Sequence, residues 1–206
     1  MLLNSTNPIL LKHTTLSFEI ELRRGQCCGL WGENGSGKSS FFYYLKSQGH
    51  KIFKQSKVAF LTQNPLNPLG HLNGVDLIKF LQTFLGESFD ANLWHKFLND
   101  FPLWKELILR PISKLSGGEA QLLKVMSTFV QKAQYYFLDE PAQHLDQEKR
   151  NYLVELIEGK KLQHSSFLVT DHYQDFLLEV SEEMYEFILK ENCARISKKI
   201  RHEVLS

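Results

Sequence analysis

The feature that most constrains this chain is a glycine-rich octapeptide at residues 32–39, which reads GENGSGKS. A short apolar run at residues 27–31 precedes it, and a run rich in Phe and Tyr at residues 40–45 follows it. A buried strand, a glycine loop and a helix in this order form the setting in which such a loop binds phosphate. The stretch therefore predicts a phosphate-binding loop. The simpler alternative is a glycine-rich turn that binds nothing.

Each residue type in this loop suits a phosphate ligand. The free N–H groups and the positive dipole end of the following helix attract anions. The glycines permit a tight turn and a close approach of the backbone to the ligand. Lys38 supplies a compact charge for the β- and γ-phosphates, and the Ser39 hydroxyl is a suitable ligand for Mg²⁺. The residues expected to bind the nucleotide are Gly32, Glu33, Asn34, Gly35, Ser36, Gly37, Lys38, Ser39 and Ser40.

A second glycine-containing segment, KLSGGE, lies at residues 114–119. Ser116 and Glu119 have the spacing of a capping box, so a helix is predicted to begin here. Gly117 and Gly118 are poor helix formers, each costing about 1 kcal/mol relative to alanine in a helix interior. Their bare N–H groups suit a phosphate. Because the chain already has one phosphate loop, this segment suggests a nucleotide held between two copies of the protein. The alternative is an ordinary capped helix.

An apolar run at residues 135–138 leads directly into the carboxylates of Asp139 and Glu140, which Pro141 follows. At the carboxyl end of a strand, Asp139 can hold Mg²⁺ through water. Glu140 can orient an attacking water and partly deprotonate it. A surface acidic turn before a proline is the alternative, and the apolar run leading into the pair disfavours it.

The remaining pattern predicts an α/β chain. Further strands are expected at residues 16–22, 57–61, 167–170 and 184–190, and a helix at residues 146–158 is expected to stop at Gly159. Strand, helix and strand in succession imply a parallel crossover, whereas the alternating pattern at 16–22 indicates an antiparallel strand. The prediction is a single domain over residues 1–206. Its α/β core covers about 1–64 and 131–206, and its helical subdomain about 65–130.

Composition narrows the function classes. The 206 residues carry a net charge of +1 and are 43% hydrophobic, which suits one globular domain and gives no reason to expect direct nucleic-acid binding. No apolar run approaches the roughly 18 residues that span a bilayer, and the N-terminus lacks a signal-peptide pattern, so an intracellular protein is expected.

Cys27 and Cys28 are assigned to the core, as are the aromatics Trp94, Phe101 and Trp104, for which a partner-binding patch is the alternative. The segment from residue 192 is expected to be a solvated tail.

Taken together, these segments resemble the ATP-binding cassette (ABC) family. Residues 32–39 resemble its Walker A motif, residues 115–121 (LSGGEAQ) its signature motif, and residues 135–140 its Walker B motif with the catalytic glutamate. Three single positions complete the set in the family's order: the Q-loop Gln63, the D-loop Asp146 and the switch His172. The resemblance implies a P-loop NTPase core with a mainly parallel sheet, a small antiparallel β part and an inserted α-helical subdomain.

The resemblance also implies an ATPase mechanism. Glu140 would polarise the water, His172 would contact the γ-phosphate, and Gln63 would sense the nucleotide. Besides ATP, the cofactor would be Mg²⁺, with Ser39, Gln63 and Asp139 around it.

Partners follow from the same resemblance. The signature residues that would complete the ATP site of the opposite subunit are Ser116, Gly117, Gly118 and Glu119. Asp146 would lie at the interface, and two chains, expected to form a homodimer, would close head to tail around two ATP molecules. The leading function is the ATP-hydrolysing subunit of an ABC transporter, held at the cytoplasmic face of the inner or plasma membrane by a separate transmembrane permease. The alternative is a soluble non-transport ABC ATPase that acts on ribosomes or another macromolecule.

Three features depart from the family pattern. No aromatic residue precedes Phe18, which is assigned to the core, so His13 is left as the substitute for the usual adenine-stacking aromatic. The segment between Lys38 and Gln63 is short, whereas many transporter cassettes carry an extra β-hairpin there. His144 is similar to the residue found in translation-factor ABC proteins, which normally carry two cassettes in one chain. The last two features slightly favour the alternative function, whereas the single cassette and the near-neutral charge count against it.

Overall fold

The computed structural model describes residues 1–5, 9–11, 14–63, 70–191 and 193–199. Nine strands in this part of the chain join one sheet. Their bounds are β1 Leu2–Asn4, β2 Ile9–Leu11, β3 Thr14–Glu21, β4 Cys27–Trp31, β5 Val58–Leu61, β6 Tyr135–Asp139, β7 Ser166–Thr170, β8 Glu183–Lys190 and β9 Cys193–Lys199. The order across the sheet is β1-β3-β9-β8-β4-β7-β6-β5, with β2 beside β3.

Eight α-helices accompany these strands within the described ranges. Their bounds are α1 Lys38–Ser47, α2 Gly49–Ile52, α3 Gly74–Leu85, α4 Ala91–Asp100, α5 Trp104–Leu107, α6 Gly117–Phe129, α7 Gln147–Leu162 and α8 Gln174–Val180. Two short 3₁₀ segments lie at Gly86–Ser88 and Ile112–Lys114. No helix in the described ranges combines the length and the apolar character needed to cross a bilayer.

The centre of the sheet is parallel, and the antiparallel pairs lie on one side of it, where β3 also pairs in parallel with β9. β4 pairs in parallel with β7 and β8, and β6 pairs in parallel with β5 and β7. β3 pairs antiparallel with β1 and β2, and β8 pairs antiparallel with β9. The prediction of a mainly parallel α/β sheet with a small antiparallel part is therefore confirmed. Parallel strands end at a common edge, and ligands of such sheets collect there.

The sheet separates two apolar clusters. Cys27 belongs to the cluster on one face and Cys28 to the cluster on the other, because successive residues of a strand point to opposite faces. Both cysteines are fully buried and form no disulfide, as expected for small core residues.

The helices between residues 74 and 129 share their apolar core with the sheet. Trp94 and Trp104 are buried in this cluster, and the ring of Phe97 packs against both of them. Phe101 is partly buried against the same cluster, so the core assignment of the aromatics is confirmed. The cluster continues without a break under α6 and α7 to β5 and β6. The division into a core and a subdomain at residues 65 and 130 stays a prediction.

The expected solvated tail is wrong for residues 193–199, which form β9. Ala194 and Ile196 are buried on the inner face of this strand. The lysines that suggested a solvated segment are paired instead, Lys198 with Glu183 at 2.9 Å and Lys199 with Glu186 at 3.0 Å. The prediction of a tail relied on the lysine charges and overlooked the alternating apolar residues of a strand. This strand pairs with β3 and β8.

The end predicted for helix α7 is also wrong. Helix α7 continues through Gly159 to Leu162, because a single glycine weakens a helix without ending it and the packed apolar face of α7 outweighs that weakening. Helix α1 ends at Ser47 with Gln48 as its cap, and Gly49 begins the short helix α2.

Candidate functional site

The glycine loop lies between the end of β4 and the start of α1. Gly37 caps α1 with φ 110°, a backbone conformation that favours glycine. A Cβ at Gly32 would lie 2.7 Å from the carbonyl oxygen of Phe187 on β8, so glycine is needed there to let the loop pass the neighbouring strand. The ring of Phe187 also lies 3.3 Å from the position that a Cβ of Gly37 would take. Phe187 thus shapes the loop, and no motif pointed to it.

Lys38 crosses the loop from the first turn of α1. Its ammonium donates hydrogen bonds to the carbonyl oxygens of Gly32 at 2.6 Å and of Glu33 at 2.9 Å. Burial lowers the pKa of Lys38, while the charges of Glu140 and Asp139 act in the opposite direction. The ammonium therefore lies within the electrostatic influence of the two carboxylates at the end of β6.

A pocket opens above the loop at the carboxyl edge of the sheet. Its volume is about 320 Å³. It is lined by Asn34, Gly35, Gly37, Lys38, Ser39, Ser40, Gln63, Glu140 and His172. Residues that lie as far apart in the sequence as Asn34 and His172 therefore meet, and all of these residues were expected from the motifs.

The Asp139 carboxylate lies at the buried end of β6. Neither of its oxygens has a hydrogen-bond partner among the described residues. Burial raises the pKa of Asp139 to about 6, while an interaction with the Ser39 hydroxyl lowers it. A buried carboxylate without a partner, next to a serine hydroxyl, suits a hard cation such as Mg²⁺.

Mg²⁺ is compatible with so few protein ligands. No group of three or more His, Cys, Asp or Glu side chains is arranged around a metal position in the described part of the chain. Mg²⁺ is commonly held by one or two protein oxygens together with substrate phosphates and water. The residues present therefore fit Mg²⁺ that arrives with a nucleotide.

Glu140 and His172 form a direct pair at the mouth of this pocket. His172 Nε2 lies 2.7 Å from Glu140 Oε1. The Glu140 side chain is 8% exposed and the His172 side chain 43% exposed, so the carboxylate is shielded while the imidazole reaches solvent. The backbone N–H of Glu140 donates to the carbonyl of Thr170 at 2.8 Å, which fastens β6 to β7 next to the pair.

The signature segment begins helix α6 as predicted. The Ser116 hydroxyl accepts from the N–H of Glu119 at 3.3 Å, and the Glu119 carboxylate accepts from the N–H of Ser116 at 2.7 Å. Ser116 and Gly117 are exposed. A Cβ at Gly118 would lie 2.7 Å from the carbonyl oxygen of His144. Close backbone packing is therefore a second reason for glycine at this position, besides any approach of phosphate.

The structure does not bring the signature segment into the pocket of its own chain. Neither Ser116, Gly117, Gly118 nor Glu119 is among the residues that line it. Asp146 also lies outside the pocket. Its carboxylate accepts from the N–H of Lys149 at 3.0 Å as the cap of α7, and it pairs with the Lys149 ammonium. The interface role of these residues stays a prediction.

Two buried polar side chains near the pocket were missed by the sequence analysis. Gln121 on α6 donates from Nε2 to the carbonyls of Glu140 and Pro141, both at 3.0 Å. Asp171 accepts from the N–H of Ala142 at 2.9 Å. Gln121 belongs to the quoted signature motif and Asp171 directly precedes His172. Their partners lie 19 and 29 residues away in the chain, so no local pattern could identify them.

The structure bears on one of the departures from the family pattern. Phe18 is buried and packs edge-on against Phe41 with ring centroids 4.9 Å apart, which confirms its assignment to the core. His13 lies outside the described residues.

Comparisons with known proteins agree with this geometry. A sequence model of the family described as "ABC transporter" matches residues 15–143. A putative ABC transporter ATP-binding protein of Pyrococcus horikoshii is 29% identical over 203 residues, which cover 86% of this chain and 69% of that protein. The zinc import ATP-binding protein of Wigglesworthia glossinidia brevipalpis is 32% identical over 148 residues, which cover 69% of this chain and 61% of that protein.

Solved structures share the fold. An RNase-L inhibitor superposes with a TM-score of 0.77 at 23% identity and is matched over 99% of this chain, which spans 41% of that longer chain. A nucleotide-free ATP-binding cassette from an ABC transporter superposes with a TM-score of 0.70 at 15% identity, over 99% of this chain and 94% of that one. At these identities the likeness shows the fold alone. On the family match over most of its length, this chain belongs to the ABC transporter family of ATP-binding cassette proteins.

Proposed function

We propose that the chain is the ATP-hydrolysing subunit of an ABC transporter and works as a head-to-tail dimer. The observation that carries this proposal is the Glu140–His172 pair, at 2.7 Å, in the same pocket as the phosphate loop. A shielded carboxylate beside a phosphate site is the arrangement needed to activate a water for attack on phosphorus.

The loop would hold the ATP phosphates. The N–H groups at the start of α1 point toward the pocket with the positive end of the helix dipole. Lys38, now bonded to loop carbonyls, has a charged ammonium within reach of the β- and γ-phosphates. The γ-phosphate then lies between this ammonium and the Glu140–His172 pair.

Ser39 and Asp139 would hold Mg²⁺, with Gln63 reaching the same pocket. When bound, the metal neutralises charge on the β- and γ-phosphates. Glu140 orients the attacking water by accepting a hydrogen bond from it. The carboxylate begins to take the proton of the water as the bond to phosphorus forms. His172 holds the carboxylate through Nε2 and has an exposed edge that can meet the γ-phosphate.

A second copy would complete the site. At the start of α6, the N–H groups of Gly117 and Gly118 have no intrahelical partner, and neither glycine lines the pocket of its own chain. Closing two copies head to tail would place Ser116 and Gly117 of one over the ATP of the other. Asp146, exposed at the start of α7, would then lie at the interface.

A groove beside α3 supports a separate membrane partner. It has a volume of about 280 Å³. Its lining consists of Lys46, Phe60, Leu61, Thr62, Leu77, Leu81, Lys124, Ser127, Thr128 and Gln131. Burial lowers the pKa of Lys124. On α3, the rings of Phe80 and Phe84 stack on each other and are 62% and 75% exposed. A groove with an apolar floor, lysines and exposed aromatics suits a short amphipathic segment with an acidic side chain, such as a cytoplasmic loop of a permease. The chain would then be cytoplasmic and bound to the membrane through that partner.

The test uses the Glu140→Gln variant, which should bind ATP but lose hydrolysis about a hundredfold or more. We would express it with a tag at low level in its own cells, add ATP, solubilise gently and identify what co-purifies. The expected partner is a multi-spanning membrane protein in a fixed stoichiometry. Glu155→Gln, a charge neutralisation on the exposed side of α7, serves as the matched control and should hydrolyse normally.

Other results would change the conclusion. Normal hydrolysis by Glu140→Gln would show that this residue is not the general base. Ribosomal subunits or a water-soluble partner, without a membrane protein, would support the non-transport alternative instead. Adding Ser116→Arg to Glu140→Gln should abolish ATP-dependent dimers, and dimers that persist would contradict the head-to-tail arrangement.

A further inference from the structure

The turn that carries Glu140 is strained. Glu140 has φ 51°, and His144, four residues later, has φ 61°. Residues with a Cβ avoid this region, and they stay in it only where the surrounding structure holds them there. The groups that hold this turn in place therefore also determine where the Glu140 carboxylate lies.

Gln121 holds the turn from the side of α6. Both protons of its amide are used, one on the carbonyl oxygen of Glu140 and one on that of Pro141, each at 3.0 Å. Gln121 is only 6% exposed, so water does not compete for these hydrogen bonds. The two carbonyls directly follow the Glu140 Cα, so the amide fixes the backbone on the C-terminal side of the residue with positive φ.

Asp171 holds the other side of the same turn. Its carboxylate accepts from the N–H of Ala142 at 2.9 Å and from the N–H of Tyr173 at 3.0 Å. Asp171 fastens the turn to the segment that carries His172. Gln121 fastens it to the helix that begins at the signature, where Gly118 touches the backbone of His144.

We propose that Gln121 is a positioning residue that couples the start of α6 to the catalytic carboxylate of Glu140 in the same chain. The inference rests on the proposed function, in which the start of α6 meets the ATP of the partner subunit. Closure of the dimer presses on α6, and the two amide bonds transmit the displacement to Glu140. Each site thereby becomes competent for hydrolysis when the opposite ATP is in place.

The test compares Gln121→Met with the wild-type protein. Methionine keeps the volume but cannot donate to either carbonyl, so the turn is free to relax. We expect kcat to fall about tenfold to a hundredfold, the size expected for a carboxylate displaced by about an ångström. The KM for ATP and the Kd for nucleotide should stay unchanged, since the phosphate loop is untouched. Ser166→Ala, which removes a buried hydroxyl bond to the Arg23 carbonyl at the other end of β7, is the matched control and should keep wild-type kcat.

A second variant and a double mutant separate positioning from general damage. Gln121→Asn keeps the amide but is too short to reach both carbonyls, and we expect a similar loss of kcat with an unchanged melting temperature. In the Glu140→Gln background, measured by single turnover, Gln121→Met should cause no further loss. An independent loss in both backgrounds, or wild-type kcat in folded Gln121→Met and Gln121→Asn, would overturn the inference alone. Absence of ATP hydrolysis by the wild-type protein would overturn the proposed function and this inference together.

Discussion

The carboxyl edge of the sheet and the helical region around α4 differ in how their shielded carboxylates are paired. At the sheet edge, the Asp139 carboxylate and the hydroxyls of Ser36 and Thr170 are buried without a hydrogen-bond partner in the described structure. In the helical region, Asp90 caps α4 through the N–H of Leu93 and pairs with buried Lys160 at 2.9 Å. Groups left unpaired cost stability, and those at the sheet edge lie where a charged ligand is expected. Unpaired buried atoms also occur elsewhere, at Gln26, Arg150 and Tyr152, but none of these is a carboxylate.

The backbone shows the same contrast. Positive φ angles occur at Glu140 and His144 near the pocket, whereas α3 and α4 begin with paired caps at Asn73 and Asp90. Positive φ also occurs at Lys54, His164 and Glu191, so strain alone does not mark the site. Strain at Glu140 next to the unpaired Asp139 carboxylate indicates a function that outweighs the cost of both. The paired Asp90 carboxylate and the helix caps of the helical region stabilise the fold. Substitutions in the two regions should therefore differ in sign as well as in size.

The largest effect is expected from Asp90→Asn. The amide can still cap α4, but buried Lys160 loses its counter-charge, and breaking a pair of this kind costs about 3 kcal/mol. Burial raises the pKa of Asp90, but its bonds to Lys160 and to the N–H of Leu93 outweigh this and hold it below the ordinary value. Denaturant unfolding at neutral pH measures the loss, and Asp100→Asn, which breaks an exposed pair with Lys96, is the control.

The pH dependence of the same variant has a defined sign. Since the pKa of Asp90 is lower in the folded than in the unfolded chain, its contribution is present above the ordinary carboxyl range and is lost as the pH falls through the folded value. The wild-type protein should lose this stability in acid, and the difference from Asp90→Asn should shrink there. A difference that stays constant down to pH 3 would show that the ion pair does not account for the loss.

The next effect separates the two signature glycines. Alanine at Gly118 would place its Cβ 2.7 Å from the His144 carbonyl, whereas alanine at Gly117 would meet the His144 ring at an ordinary 3.7 Å. We expect Gly118→Ala to destabilise the protein by about 2 kcal/mol, as overpacking does, and to disturb the Glu140 turn. Gly117→Ala should be nearly neutral for stability, and thermal unfolding of both variants checks this. Equal losses would mean that the D-loop moves freely away from α6.

Asp139→Asn should stabilise the nucleotide-free protein, whereas Asp90→Asn and Gly118→Ala should destabilise it. The ionised Asp139 carboxylate is buried without a partner, and burial raises its pKa to about 6. Removing the charge should stabilise the nucleotide-free protein by about 1.5 kcal/mol at pH 8, which is part of what such a shift represents. The same change should weaken Mg²⁺-dependent ATP binding. Melting temperatures with and without Mg²⁺ and ATP test both, and a lower melting temperature of the nucleotide-free variant would contradict the prediction.

The smallest effects compare two capping boxes. Asn73→Ala and Ser116→Ala each remove a side-chain cap, from α3 and α6, and each should cost about 1 kcal/mol. Only Ser116→Ala should also weaken ATP-dependent dimers, since α3 begins away from the pocket. Unfolding and size-exclusion measurements with ATP separate the two effects. If Asn73→Ala disturbed the dimers equally, the role of the signature would reduce to helix stability.

Much of the candidate site was accessible from the sequence. The loop around Lys38, the end of β6 at Glu140 and the start of α6 at Ser116 each consist of neighbouring residues with a strong local pattern. His172 and Gln63 were placed by the order of motifs. The positions of Gln121 and Asp171 were not accessible, because their hydrogen bonds join segments whose separation in space depends on how β6, β7 and α6 pack.

The same distinction applies to the fold. The parallel pairing of β6 and β7 followed from the succession of strand, helix and strand, which is a property of the chain itself. Strand β9 and the continuation of α7 through Gly159 were decided by tertiary packing. The alternating apolar residues of β9 become buried only when the strand lies beside β3 and β8. Gly159 remains helical because the apolar face of the helix around it is buried. Sequence by itself thus determined the family and the position of the glycine loop, since both are read within short segments, whereas the phosphate chemistry of the loop stays a prediction. The strained Glu140 turn and the groups that hold it were decided only when distant segments met, because a hydrogen bond between them has no local signal.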